Sequence, residues 1–343
     1  MAHPVIELPQ GLDIAVVIVT YRTAELTVAA LRSLASERAR RELRIRVIVI
    51  DNASGDLPAI EAAVATQGWS SWVTPVGAPR NGGFAYGNNV GIQRAYETGA
   101  PDYLYLLNPD AEVRPGALIA LAGFLESHPE AGIAGSSFED PDGSEWPIAF
   151  RFPTLLSELC QGLEFGLVSR LLQRWVLART MTAQAQPVDW ICGASMMIRP
   201  AVLTAIGGLD ENYFLYFEET DFCLRARRAG FSTWYVPASR VMHIRGQSTK
   251  VTSRGAEARR LPAYWFESRR RYFAVTFGIR HAMAIDIVAL IASCLGFAKR
   301  VALGRRHSVK HFIRDLARHS VLWTGNREIP EARSLLRPKV TPT

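Results

Sequence analysis

The sequence has little of what marks metal scaffolds and nucleotide cradles. Only four cysteines occur in 343 residues, Cys160, Cys192, Cys223 and Cys294, and none forms a Cys-x-x-Cys pair. That argues against a structural zinc site or a disulfide framework, and fits a reducing compartment. The first apolar run is followed by Thr20-Tyr21-Arg22-Thr23 rather than Gly-x-Gly-x-x-Gly, and no Gly-x-x-x-x-Gly-Lys-Ser/Thr occurs. Both common phosphate-cradling loops are missing, which counts against a nicotinamide dehydrogenase and a P-loop NTPase. The N-terminus MAHPVIELPQG lacks a basic segment leading into an apolar one, so no signal peptide is expected and the cytoplasm is the expected compartment. No nucleic-acid-binding motif accompanies the net charge of +7, and no nucleic-acid partner is expected.

What is present is an ordinary globular composition, 48% hydrophobic and 21% charged, with ample length for a core. The positive charge is uneven: Lys and Arg crowd between Arg225 and Arg306. Such asymmetry suits an anionic membrane surface or a phosphorylated ligand.

Ile14 to Thr20 and Arg46 to Asp51 are short runs rich in β-branched residues, the pattern of strands buried on both faces. Between them, Leu26, Ala30 and Leu34 share a helical face behind a Thr23 cap. A helix near 58–66 and an apolar segment at 71–76 continue the alternation, which predicts a doubly wound, mostly parallel α/β sheet. Asp51-Asn52 ends the second strand, either as a plain turn or as a carboxylate for a base N–H or ribose hydroxyl. Arg80 to Asn89 carries three glycines and three asparagines. Glycines there let the backbone approach a ligand closely, and a helix is expected to begin at Asn88 or Asn89.

Tyr103 to Leu107 is a fourth buried strand, ended abruptly by Asn108-Pro109-Asp110, with Glu112 two residues on. Pro109 stops further pairing, so Asp110 sits at the carboxyl edge of the sheet, where ligands of open α/β sheets bind. A divalent cation carried on a substrate phosphate needs one or two such oxygens. An Asn-Pro turn is the plain alternative.

Further along, a helix is expected to 127 after Pro115, and a turn at 139–144. Strand character returns at 189–199, and a helix from Pro200 closes at Gly207-Gly208. After an aromatic loop at 209–217, Glu218, Glu219 and Asp221 open another helix, where the dipole favours acids and Asp221–Arg225 is an i,i+4 pair. His243 follows a short strand at 233–236. Ala282 to Ala298 is an apolar run broken by Asp286, short for a span and carrying a costly acid. An in-plane helix held on anionic lipid is expected; a buried helix or a homo-oligomer contact is the alternative.

In this order the motifs resemble the family 2 glycosyltransferases of the GT-A fold, more narrowly their bacterial rhamnosyltransferase-like members. The matching residues are Val17 to Tyr21, Val49 to Ser54, Asn81 to Gly91, Leu107 to Asp110, Gly193 to Arg199, Gly207 to Asp210 and Phe217 to Ala226. The resemblance implies inverting transfer of a sugar, best guessed as L-rhamnose, from a dTDP- or UDP-linked donor to a glycan or polyprenyl-linked acceptor. It implies a GT-A domain over 1–250, with a nucleotide-sugar half near 12–115 and an acceptor half near 116–250. Residues 251–343 would be a basic helical extension at the inner face of the cell membrane, and 145–187 would shape the acceptor site. Nucleotide contacts would come from Thr20, Tyr21, Asp51, Asn52, Asn81, Gly82, Gly83, Asn88 and Asn108. Mg²⁺ or Mn²⁺ would be held by Asp110, assisted by Glu112 and His243, with Arg245 and Ser248 as a diphosphate lid. Glu219, where the family usually has Asp, would be the catalytic base, and Asp221 the second choice. A non-catalytic, membrane-associated sugar-binding protein and a sugar nucleotidyltransferase are the other readings.

Overall fold

The computed structural model describes residues 10–40, 42–146, 149–179, 181–244, 260–304, 309–324 and 330. The first half alternates as read: β1 (Leu12–Thr20), α1 (Ala24–Arg38), β2 (Leu43–Asp51), α2 (Leu57–Thr66), β3 (Val73–Gly77), α3 (Gly83–Glu97) and β4 (Tyr103–Leu107). Then come β5 (Ala111–Val113), α4 (Ala117–Ser127), β6 (Ala131–Glu139), β7 (Glu145–Trp146), β8 (Ala149–Phe150), α5 (Leu155–Leu163) and α6 (Gly166–Leu171). The chain continues through β9 (Gln186–Val188), β10 (Trp190–Ile191), β11 (Ser195–Ile198), α7 (Pro200–Ile206), α8 (Glu218–Arg228) and β12 (Ser232–His243). It closes with α9 (Ala263–Phe277), α10 (Ile279–Ala302), α11 (Phe312–Arg318) and α12 (Val321–Thr324).

The main sheet runs β3-β2-β1-β4-β11-β6-β12-β5, with β7 beside β6 and β9 beside β12. Strands β1 to β4 pair in parallel. The buried strand β11 is antiparallel to β4 and to β6, and β12 is parallel to β6. The doubly wound reading holds, with an antiparallel strand set into its middle.

Three expectations are corrected. Helix α3 begins at Gly83, not at Asn88 or Asn89. Gly83 sits at φ +87°, and a Cβ there would lie 1.9 Å from the carbonyl oxygen of Phe214, which accepts the Phe84 N–H at 2.8 Å. A Cβ on Gly82 would strike the Tyr86 ring at 2.4 Å. The chain's own atoms approach both glycines closely. Gly87 and Gly91 lay the helix on β1, where Cβ atoms would meet Val19 and Val17 at 2.5 and 2.3 Å.

The strand expected over 189–199 is interrupted. β10 pairs with β8 in a separate ribbon, and Cys192-Gly193-Ala194 steps across to β11. In the other direction β12 is longer than read, because a register shift between Val236 and Arg240 absorbs Pro237 and lets pairing resume. That extension carries His243 to the edge where β4 ends.

The C-terminal helices pack on the segment before β9. A Cβ on Gly296 of α10 would lie 2.1 Å from the Gly162 carbonyl of α5, so small residues let the two backbones meet. Asp286, the acid inside the apolar run, is 1% exposed. It accepts from Arg269 Nη1 (2.6 Å), Ser320 Oγ (2.6 Å) and the Val321 N–H (2.8 Å), while Arg269 also holds Glu158 of α5. A buried charge persists only when paired and hydrogen-bonded in this way. One face of α10 is therefore packed, as the alternative reading expected, and the other is not.

Candidate active site

The carboxyl ends of β1, β2 and β4 open on one edge, and the end of β12 joins them. His243 Nε2 lies 3.1 Å from Asp110 Oδ1 and 3.5 Å from Asn108 Nδ2, and Ile244 N–H donates to the Asp110 carbonyl at 3.0 Å. Asp110 and His243 are 7% and 6% exposed. Two ligands at right angles on a cation with bonds of about 2.1 Å stand about 3 Å apart, so this carboxylate and imidazole fit neighbouring positions on one ion. Among the described residues no three His, Cys, Asp or Glu side chains gather closely enough to hold a metal. Glu112, expected to assist, does not join the pair: Ala111 and Val113 on either side of it point into the core, and β5 presents Glu112 to the opposite face.

Across the edge stands the first turn of α8. The chain enters it through Tyr216 and Phe217, both left-handed at φ 71° and 70°. Two non-glycine residues held there cost energy, and such strain gathers at functional sites. Glu218 and Glu219 follow. Each leaves a buried Oε2 without a hydrogen-bond partner, unusual for a carboxyl and an opening for a ligand. Burial pushes the Glu219 carboxyl up to about 7, against the pull of its own N–H, that of Gly193, and the Glu218 carboxyl. Burial and the neighbouring Glu219 push the Glu218 carboxyl up as well.

The two halves of the site meet at the Cys192-Gly193-Ala194 step, whose Ala194 carbonyl accepts from the Asn108 N–H at 3.0 Å. Burial above all pushes the Cys192 thiol up to about 12. Beside it, the Cβ position of Gly193 lies 3.1 Å from the Phe84 ring and 3.8 Å from Glu219 Cβ. The sequence reading did not single out Cys192 as a site residue; a Cys-Gly pair breaking an apolar strand was the available signal.

Asp221 is placed elsewhere. It is 3% exposed and bound to Arg225 Nε at 2.7 Å, while Arg225 also donates to the Ile206 and Gly208 carbonyls. Burial raises its carboxyl and Arg225 opposes the rise. Its task is to tie α8 to the end of α7.

On the nucleotide side several expected contact residues also hold the fold together. Thr20 is fully buried, its hydroxyl shared with Thr23 (2.9 Å) and Thr27 (3.0 Å), so Thr23 does not cap α1 with its side chain. Asp51 accepts from Ser54 N and Oγ and from the Gly55 and Leu57 N–H groups. Those four bonds match a carboxylate's four acceptor sites, and a base N–H would have to share one. Asn52 donates to Asn81 Oδ1 and the Gly83 carbonyl, both at 3.0 Å. Asn88 bonds the Phe84 carbonyl at 2.9 Å. Tyr21 is half-buried, with Arg22 5.2 Å from its ring centre. Arg245 and Ser248 lie outside the described residues.

Residues 9–261 match the family described as "Glycosyltransferase like family 2". The chain is 30% identical over 228 residues to the N-acetylglucosaminyl-diphospho-decaprenol L-rhamnosyltransferase of Mycobacterium tuberculosis, covering 64% of this chain and 72% of that one. It is 28% identical over 165 residues to the Escherichia coli rhamnosyltransferase WbbL, covering 47% and 60%. Among solved structures, GalNAc-T7 with UDP, GalNAc and Mn²⁺ aligns with a TM-score of 0.55 at 17% identity, over 90% of this chain and 57% of that one. The mannosyltransferase PcManGT of Pyrobaculum calidifontis, with GDP-Man and Mn²⁺, aligns with a TM-score of 0.53 at 13% identity, over 93% and 84%. With its GT-A sheet and these matches, the chain belongs to glycosyltransferase family 2 and is a rhamnosyltransferase-like glycosyltransferase.

Proposed function

We propose that the protein is a metal-dependent inverting glycosyltransferase that moves L-rhamnose from a dTDP-linked donor to a hydroxyl of a polyprenyl-linked glycan. One observation supports the mechanism: the Gly193-Ala194 step lies against both halves of the site, a Cβ on Gly193 falling 3.8 Å from Glu219 Cβ while the Ala194 carbonyl accepts from the Asn108 N–H at 3.0 Å. Mg²⁺ or Mn²⁺, when bound, would neutralise the diphosphate as it leaves. Asp110 and His243 would hold it. Glu219, partly exposed and with an unpartnered oxygen, takes the proton of the acceptor hydroxyl as that oxygen attacks the anomeric carbon. Asn108 and the Asn52–Asn81–Gly83 cluster shape the donor floor. Incubation with dTDP-rhamnose, UDP-sugars and either metal, with a rhamnose-free N-acetylglucosaminyl diphospholipid as acceptor, tests this. Release of dTDP with a rhamnosylated product is expected; no nucleotide-sugar binding at millimolar donor overturns it.

In this proposal the enzyme works at the inner face of the cell membrane, with residues 251–343 as its anchor. Support comes from α10, the one described helix long and apolar enough to cross a bilayer. With one side packed on α5, it turns Met283, Ile287, Ile291 and Leu295 outward at i, i+4 spacing, 37–57% exposed. Residues 260–324 hold twelve Lys and Arg against three Asp and Glu, and Asp286 and Asp315 are buried against arginines. An apolar stripe in a basic setting suits an in-plane helix on anionic lipid. The protein should float with vesicles containing phosphatidylserine and bind phosphatidylcholine alone more weakly. Ile287→Asp with Ile291→Asp should abolish flotation; a double variant that still floats would refute the anchor. A dimer-to-monomer change in the same variant would make the stripe a contact between copies instead.

A further inference from the structure

The loop between α7 and α8 carries a surface that the proposed chemistry does not use. Phe214 is 38% exposed. Its ring packs on Tyr264 of α9 with centroids 5.3 Å apart, and Tyr216 stacks on the same Tyr264 at 6.1 Å and 19°. Beneath them Phe217 packs edge-on to Trp265 at 5.9 Å and tilted on Tyr272 at 5.5 Å. The loop is tied to α9 twice more, by Ser268 Oγ on the Leu215 carbonyl (3.0 Å) and by Arg271 Nε on Asp210 (2.8 Å). The left-handed backbone at Tyr216 and Phe217 is thus over-determined by packing from a helix outside the matched region.

The surface leads into the turn that carries the base, Tyr216 lying three residues before Glu219. The Phe214 carbonyl accepts from the Phe84 N–H, and a Cβ on Gly193 would meet the Phe84 ring at 3.1 Å and Glu219 Cβ at 3.8 Å. Three aromatic side chains on the loop that enters the base's helix are suited to a ring with apolar C–H faces and hydroxyl edges. A diphosphate would need cations there, and a polyprenyl tail would find the wholly apolar α10 stripe better. We infer that Phe214, Tyr216 and Tyr264 form a stacking platform for the acceptor's sugar ring, so that α9 completes the acceptor site. This rests on the transferase reading above. It also gives the C-terminal helices a part in substrate selection.

The test uses the full chain, dTDP-rhamnose and an N-acetylglucosaminyl diphosphofarnesol acceptor in detergent. Tyr264→Leu keeps bulk and loses the π face. Its acceptor KM should rise about five- to tenfold, the range expected for one aromatic contact, with the loss concentrated in KM rather than kcat. Tyr264→Phe should restore the wild-type KM. Phe214→Leu should behave as Tyr264→Leu does, and donor affinity by calorimetry reports that each variant is folded. Acceptor KM within twofold of wild type in both leucine variants overturns the platform. Failure of the wild-type enzyme to transfer to this acceptor would instead strike the transferase reading.

Discussion

Glu219→Gln is expected to lower kcat by about 10²–10⁴-fold, the span of a lost general base, with donor affinity unchanged within twofold. The substitution keeps the size and one acceptor oxygen, so any loss reports the missing proton acceptor rather than collapse of the turn. Single-turnover transfer measured beside calorimetric donor binding separates the two. Asp221→Asn is the control: it weakens the bond to Arg225 Nε, and should lower the thermal midpoint more than it lowers kcat. Turnover surviving in Glu219→Gln would remove the base from α8.

The same carboxyl sets a pH profile. With its folded value raised to about 7, Glu219 must lose its proton to act, so kcat/KM should climb through pH 7 and then level. Stability runs the other way. A carboxyl raised above its ordinary 4.5 binds its proton more tightly in the folded chain, so its stabilising share is complete below about pH 4.5. That share is lost as pH rises through 7. Glu218, raised by burial and by Glu219, runs in the same direction. The enzyme should be most active where this pair stabilises it least, and Glu219→Gln should flatten both curves.

The sheet was legible because its strands are buried on both faces: Ile14 to Thr20 and Tyr103 to Leu107 can do little else in water. Asp110 was legible for the same reason, since a proline at a strand end fixes where the next side chain emerges. The start of α3 was not, because Gly83 answers to the Phe214 carbonyl, 131 residues away, and local propensity carries no trace of that contact. Nor was the length of β12, since a bulge that absorbs Pro237 reads locally as a strand ending. Asp51 and Thr20 sit where the motif places them, but their hydrogen bonds go to the turn and to α1. Position within a motif does not tell which partner a side chain has chosen. Asp286 read locally as a costly acid in an apolar run, because its partners Arg269 and Ser320 lie 17 and 34 residues away.

Asp110→Ala is expected to lower transfer by about 10³-fold at saturating metal, corresponding to several kcal/mol of lost charge stabilisation at the departing diphosphate. Among the described residues the proposed site would offer the ion one carboxylate and one imidazole, with Asn108 flanking. Two protein ligands leave most of the ion's positions to water or donor oxygens, so free enzyme should bind Mn²⁺ only in the millimolar range. Saturating donor should tighten that binding, and metal must tighten donor binding by the same factor, since the coupling is reciprocal. Asp110→Ala should abolish the coupling while leaving weak, metal-independent nucleotide binding. His243→Ala should reduce it partially, because the carboxylate carries the charge. Electron paramagnetic resonance of Mn²⁺ with and without donor reads both affinities directly. Tight Mn²⁺ binding without donor, or coupling that survives Asp110→Ala, would mean that the ion is held by other residues.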